Sequence, residues 1–352
     1  MQRNLVCFSY RHGLDDDPFI TEKAALFTLL RTDYNLEPMV SIGGKEAVAG
    51  EPGNQTILAC PVDQTGAPQL TAMRQVPADD FKAVINRSRG VVPLSVPMLN
   101  ERPVLRYASD KVLTDRELFQ PHGMSIRTFE LATPADIEQA FAELPATHVV
   151  LKKVNGTLTE GLYIEDRQRA REILEQELLP GGTRYLLQPA YDFTIAWPDS
   201  LRPYSEADTA DLAQYATNTK PKELRMYFFY AKDAQTGAVQ VDCFPVARTS
   251  LTGTKYMQLP SNWFCIDPAS LPDFIAAKTE AAARSLGDKT DSKALFGCID
   301  WGYGAIGDEE PTWVCIEGNF RAPYLLSSDK HPVVGPLLYK KFAALIDHLA
   351  RQ

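Results

Sequence analysis

Apolar and polar positions along this chain fall into blocks that switch between the two-residue period of a strand and the 3.6-residue period of a helix. Asn4–Tyr10 is a short apolar run of the buried-strand kind, Glu22–Leu30 carries apolar residues at helical spacing, and Pro38–Ile42 predicts a second strand. Gly43, Gly44, Gly50 and Gly53 then punctuate the chain as loops. From Gln55 to about Pro103 the pattern predicts more short strands and one helix near Asp79–Ile85. A second unit starts near Ser109. It predicts a helix over Lys111–Phe119, a strand over Ser125–Glu130, and a helix over Pro134–Leu144 with Ile137, Ala140, Phe141 and Leu144 on one face. The β-branched run HVVLKK, the polar loop NGTLTEG and the run LYI follow as strand, loop and strand. Arg167–Leu178 reads as an amphipathic helix and Arg184–Gln188 as a strand.

Residues 194–221 break this rhythm. They are rich in Pro, Ser, Asp, Thr and Ala, with one helical stretch around Glu206–Tyr215, and read as an insertion or a mobile cover. The last third returns to strands over Leu224–Tyr230, Val239–Pro245, Gly297–Gly302 and Thr312–Glu317, with helices over Leu271–Leu286 and Pro336–Ala350. The alternation of strands and helices places the chain in the α/β (α+β) class. The expected units are an N-terminal α/β domain over 1–108, a second unit over 109–192 and a third over 193–352 that carries the insertion.

Composition narrows the function. A chain of 352 residues with 45% hydrophobic and 23% charged residues has enough apolar material for two or three packed units. A formal charge of −9 argues against a broad nucleic-acid or anionic-membrane surface, while leaving room for a local basic pocket. The six cysteines have no CxxC spacing and no neighbouring histidine, which argues against structural zinc and for reduced, buried thiols. The N-terminus lacks the apolar stretch of a signal peptide, and no 18-residue apolar run occurs, so a cytoplasmic location is expected.

Three constellations carry chemistry. Asp300 ends the apolar run GCIDWG, and Glu317 and Asn319 end the next, WVCIEGNFRAP. Paired antiparallel, these strands would bring two carboxylates and an amide oxygen together, a hard-oxygen set suited to Mg²⁺. Ordinary strand-end charges are the alternative, weakened because Glu317 follows a wholly apolar run where an unpaired charge is unfavourable. In HVVLKKVNGTLTEGLYI, a lysine at the end of a buried strand followed by a glycine-bearing loop can place an ammonium and backbone N–H groups on phosphates. A β-hairpin with a solvated Lys–Lys pair explains the same residues. RYLLQPAYDF fits a hinge whose backbone pairs with adenine, and equally an edge strand. The P-loop pattern GxxxxGK[ST] is absent.

In this order the pieces resemble the ATP-grasp superfamily, especially its glutathione-synthetase-like and D-alanine–D-alanine-ligase-like carboxylate–amine ligases. The resemblance runs from LNERPVLRYASDK at 99–111 to about Leu326, roughly two thirds of the chain. It implies an ATP-grasp fold, ATP and Mg²⁺ (with Mn²⁺ as a substitute) as cofactors, and small-molecule carboxylate and amine substrates. By that resemblance Lys111 and Lys152 contact ATP phosphates, and loop 155–161, with Gly156 and Thr157, covers them. Gln188 and Ala190 face the adenine and Glu223 holds the ribose. Arg225 and Arg248 point toward phosphate or acyl-phosphate, and Asp300, Glu317 and Asn319 form the magnesium set. Arg321, in EGNFRAP, adds a cation where phosphoryl transfer builds negative charge. That N-x-R spacing is found in carboxylase and carbamoyl-phosphate members, whereas small peptide ligases often carry a small residue there. The insertion 194–221 matches no family element.

The reaction so implied moves the γ-phosphoryl group to a carboxylate, and an amine then displaces phosphate to form an amide, with ADP as product. No covalent nucleophile is needed, in agreement with the lack of a Ser–His–Asp or Cys–His grouping. Two rivals share the same phosphate machinery. An ATP-grasp kinase would need a general base for a hydroxyl acceptor, for which the sequence offers no compelling candidate. A protein that only binds nucleotide would have less need of the complete Asp300–Glu317–Asn319 set. Arg11 and His12 could reach a substrate carboxylate, although a solvated loop explains them as well. A homodimer is compatible with the family type, but no stretch of the sequence shows an interface.

Overall fold

The apolar runs assemble into three sheets, described by the computed structural model over residues 4–10, 23–51, 53–86, 94, 96–156, 161–251, 261–320, 325 and 332–352. The first sheet comprises β1 (Asn4–Tyr10), β2 (Leu36–Ile42), β3 (Val48–Ala49), β4 (Thr56–Pro61), β5 (Arg74–Pro77), β6 (Phe81–Asn86) and β7 (Met98–Leu99). Its order is β3-β4-β2-β1-β6-β7, with β5 paired to β4. Strand β1 runs parallel to both β2 and β6, and its consecutive Val6, Cys7 and Phe8 are fully buried because both faces are covered. Helix α1 (Lys23–Asp33) makes the right-length crossover from β1 to β2 and buries Leu26, Phe27 and Leu30. The helix expected near Asp79–Ile85 is instead one 3₁₀ turn, Ala78–Asp80, followed by β6. In β6 Phe81, Ala83, Val84 and Ile85 are all buried, and a run buried on both faces loses the alternation that marks a strand.

The middle of the chain holds α2 (Arg102–Ser109) and α3 (Lys111–Thr114), then β8 (Phe129–Leu131), α4 (Pro134–Glu143), β9 (His148–Lys153), β10 (Leu162–Asp166), α5 (Arg167–Gly181) and β11 (Tyr185–Pro189). The strands form an antiparallel sheet in the order β10-β9-β11-β8. The stretch expected as one helix from Lys111 to Phe119 is helical but broken, α3 passing into a π-turn over Asp115–Phe119. Asp110 starts α3 by accepting the Leu113 N–H at 3.0 Å. Helix α4 starts where Thr133 and Asp136 form a reciprocal capping box with Pro134 in the first turn. The strand expected over Ser125–Glu130 is confined to Phe129–Leu131.

The third sheet follows helix α6 (Glu206–Ala216) and contains β12 (Lys222–Lys232), β13 (Val239–Ser250), β14 (Ser261–Cys265), β15 (Ala294–Gly304) and β16 (Thr312–Asn319). Helix α7 (Asp273–Thr290) and the terminal α8 (Val334–Ala350) flank it. The order is β14-β13-β12-β15-β16, antiparallel throughout. One face packs with α1, α8 and β1 through Tyr227, Phe296, Leu338, Phe342 and Phe8. The other packs on α7 through Phe228, Trp301, Ile275 and Leu286.

Segment 194–221 is more firmly attached than a mobile cover. Trp197, Leu201 and Leu212 are buried in the α7-side core, with the Trp197 ring 6.0 Å from that of Phe264. The buried Lys222 ammonium donates to Asn218 O at 2.6 Å and to Thr194 O and Lys220 O at 3.2 Å each, tying both ends of the segment to β12. Asp208 accepts the Cys265 N–H at 2.9 Å and does the same at β14. Among the described residues no helix is long and apolar enough to cross a membrane. All six cysteines are unbridged, and all but Cys243 are buried.

Candidate active site

Strand alternation gathers the charged residues of the third sheet on one face. Glu223 and Arg225 lie two residues apart on β12 and so point the same way. Glu223 is opposite Arg248 of β13, Arg225 opposite Asp300 of β15, Asp300 opposite Glu317 of β16, and Cys298 opposite Asn319. Residues separated by almost a hundred positions in sequence thus share one end of one sheet face.

Asp300 lies at the centre and is fully buried. Its carboxylate accepts Arg225 Nε and Nη2 at 2.8 Å each and Asn319 Nδ2 at 2.9 Å. Arg248 pairs with Glu223 and stands 3.7 Å from Asp300. Both guanidinium groups lie over the Trp263 ring, Arg225 at 5.6 Å and Arg248 at 5.3 Å from its centroid. Burial raises the Asp300 carboxyl, but Arg225, Arg248 and the Asn319 amide outweigh it and hold the group below the usual carboxylate range. For Glu223 burial prevails: despite Arg248, its carboxyl is pushed up to about 7, with Asp300 and Glu317 adding like charge.

The β15–β16 register slips here. Asp300 faces Glu317 while Trp301 faces Cys315, leaving Ile316 as the extra residue of a β-bulge. The Ile316 carbonyl accepts Lys152 Nζ at 3.2 Å, so a lysine of the second sheet reaches the strand that carries Glu317 and Asn319. Lys111 donates to Gly156 O at 2.5 Å and joins α3 to the loop that follows β9. Burial pulls the Lys111 ammonium below its ordinary value, Glu317 opposing this and Lys152 adding to it. Where that loop returns, Gly161 has φ +67° and a Cβ there would lie 2.7 Å from Lys153 Cβ, so both backbone and space call for glycine.

The structure thus brings together Lys111, Lys152, Gly156, Glu223, Arg225, Arg248, Asp300, Glu317 and Asn319. Gln188 and Ala190 sit at the end of β11, where the Gln188 amide donates to Thr128 Oγ1 at 2.8 Å and the Ala190 N–H to His148 O at 3.1 Å. In this conformation neither group is turned to a ligand. Thr157, Arg321, Arg11 and His12 lie outside the described residues. A cavity of about 700 Å³ opens beside the loop against Arg106, Asp110, Lys153 and Arg184, apart from the carboxylate cluster. Trp263 was not legible in advance, because β14 itself was not predicted and an aromatic pair in a short strand reads as core.

The donor set suits a divalent cation. Among the described residues Glu317 is held by no hydrogen bond or ion pair. Asp300 Oδ1 accepts a single hydrogen bond, leaving a lone pair, and Asn319 offers an amide oxygen. No group of three His, Cys, Asp or Glu placed to hold a metal ion occurs among the described residues. Two carboxylates and an amide match an ion that keeps positions for water and phosphate better than one enclosed wholly by protein.

No protein-family model matches the chain, and no curated protein matches it by sequence. Solved structures do match along its whole length. D-cycloserine synthetase DcsG is 16% identical at a TM-score of 0.56, covering 98% of this chain and 99% of its own. Macrocyclase MdnC from Microcystis aeruginosa, bound with precursor peptide MdnA, is 14% identical at 0.57, covering 97% and 98%. VanG D-Ala:D-Ser ligase from Enterococcus faecalis is 12% identical at 0.58, covering 99% and 100%. The chain adopts the ATP-grasp fold that these proteins share.

Proposed function

We propose that this chain is an ATP- and Mg²⁺-dependent carboxylate–amine ligase that releases ADP and works through an acyl-phosphate on amino acid or small peptide substrates. The observation that carries the reading is the convergence of Asp300, Glu317 and Asn319 with Arg225 and Arg248 on one sheet face, within reach of Lys152 from the neighbouring sheet. Asp300, Glu317 and Asn319 would hold the metal, which supplies charge neutralisation at the nucleotide phosphates. Lys152 and Lys111 exchange the carbonyls of Ile316 and Gly156 for phosphate oxygens, at small enthalpic loss because one acceptor replaces another. Arg248, backed by Trp263 and Glu223, stabilises the charge that builds during transfer. The residues supply position and charge, and no side-chain nucleophile enters the reaction.

The similar structures, which include a D-Ala:D-Ser ligase and a macrocyclase bound with its precursor peptide, support amino acid or peptide substrates. The unbridged thiols support a reducing, cytoplasmic setting. The test is incubation of the purified protein with Mg²⁺-ATP and pools of amino acids and dipeptides, followed by nucleotide analysis and mass spectrometry. ADP released only with a particular pool, together with a condensed product, supports the ligase. ADP with a phosphorylated hydroxyl would make it a kinase, and AMP with pyrophosphate would contradict the acyl-phosphate route.

A further inference from the structure

Asn100 lies just after β7, where the chain leaves the first sheet for α2, yet its side chain bonds to two strands about two hundred residues away. It is 3% exposed and sits at φ +53°, in the left-handed region that asparagine enters more readily than most residues. Its Oδ1 accepts the Phe296 N–H at 2.9 Å, and its Nδ2 donates to Phe296 O at 2.8 Å and Phe320 O at 3.0 Å.

The β15–β16 ladder runs as far as Cys298 opposite Asn319. Continued by its own register, it would next use the backbone of residue 321 to pair with Phe296. The Asn100 amide meets the N–H and C=O of Phe296 with one acceptor and one donor, as a strand's peptide group would. The second amide hydrogen takes Phe320 O, the carbonyl directly after Asn319. The three bonding positions of the side chain are thus used on Phe296 N–H, Phe296 C=O and Phe320 C=O. The end of the ladder is also where Asn319 meets Asp300.

We propose that Asn100 is a positioning residue for the carboxylate–amide site: its side chain closes the β15–β16 ladder and fixes Asn319 relative to Asp300. The proposal rests on the reading of Asp300, Glu317 and Asn319 as the metal-holding set. Groups that orient metal ligands from outside the coordination shell commonly change affinity by about 10–100-fold when removed.

The test compares Asn100→Gly, which keeps the positive φ and removes the amide, with Asn100→Asp, which keeps the shape and one acceptor but loses both donors. Ile57→Ala, in β4 and in an apolar cluster that contains neither Phe296 nor Phe320, serves as a destabilising control. Mn²⁺ binding is measured by electron paramagnetic resonance with a non-hydrolysable ATP analogue, and hydrogen exchange is followed at the Phe296 and Asn319 amides. Both Asn100 variants should bind Mn²⁺ at least about tenfold more weakly than wild type; only Asn100→Gly should lose protection at Phe296, since the Asp carboxylate still accepts that N–H, while Ile57→Ala retains affinity. Wild-type Mn²⁺ affinity in Asn100→Gly would overturn the proposal. Wild-type protein that binds no Mn²⁺ would instead sink the metal reading. Exchange at Asn319 then decides the positioning role, which stands if Asn100→Gly accelerates it beyond the control and falls if the two are equal.

Discussion

Replacing Arg225 by methionine removes the guanidinium while keeping much of its volume, and isolates what the buried pair with Asp300 contributes. Asp300 has no solvent exposure and takes both of its shortest contacts, at 2.8 Å, from this one side chain. In Arg225→Met the carboxylate keeps the Asn319 amide and an Arg248 that is 3.7 Å away and already paired to Glu223. Removing one partner of a buried pair costs about 3–5 kcal/mol, because the remaining charge stays out of water. With an unfolding entropy near 2.1 cal/mol/K per residue, 352 residues give about 0.7 kcal/mol/K, so Tm should fall by about 4–7 °C. Calorimetry at neutral pH measures this directly. The sign of the pH dependence is a second check. The Asp300 carboxyl is held below its usual range in the folded protein, so its contribution is present above about pH 4 and is lost as pH falls through the folded value. Wild type and variant should therefore converge in acid. A Tm change below about 1 °C, against the several degrees expected, or a difference that widens on acidification, would refute the argument.

Other outcomes follow from the same geometry. Glu317→Gln should abolish ATP-dependent turnover with a near-wild-type Tm, since among the described residues the Glu317 side chain makes no hydrogen bond or ion pair; full activity would remove it from the metal set. Lys222→Met should open segment 194–221 to limited proteolysis by deleting three bonds to its carbonyls. Burial pulls the Lys222 ammonium down to about 8, so raising the pH from 8 toward the unfolded value near 10.4 should stabilise wild type but not Lys222→Met. Trp263→Leu takes away about 2 kcal/mol of cation–π attraction per largely buried arginine and should weaken ATP-analogue binding in calorimetry more than adenosine binding. Equal losses would show that the ring does not support phosphate recognition.

Much of the fold was legible because strands and helices carry distinct periods. HVVLKK, the helix over Pro134–Leu144 and both carboxylate-bearing strands read directly from sequence. The misreading near Asp79–Ile85 falls where both faces of β6 are buried and the period vanishes. Segment 194–221 suggested a loose cover because its polar composition masks three apolar anchors, Trp197, Leu201 and Leu212. Glu317 and Asn319 could be named from the apolar run they terminate, whereas Asp300, expected at a strand end, lies inside β15, which continues to Gly304. The roles of Trp263 and Asn100 could not be named, since each depends on a pairing between segments that no local pattern records.

The bulge at Ile316 acts as a change of parity. Trp313, Cys315, Glu317 and Asn319 are all odd-numbered, and in an unbroken strand they would share one face. Instead Trp313 and Cys315 belong to the apolar core on the α7 side, while Glu317 stands opposite Asp300 on the other. One supernumerary residue lets an apolar anchor and a polar donor set be written in consecutive alternate positions. Deleting Ile316 would leave Glu317 opposite Asp300 in a regular ladder, whereas keeping it and closing the bulge would turn Glu317 and Asn319 to the apolar side of the sheet.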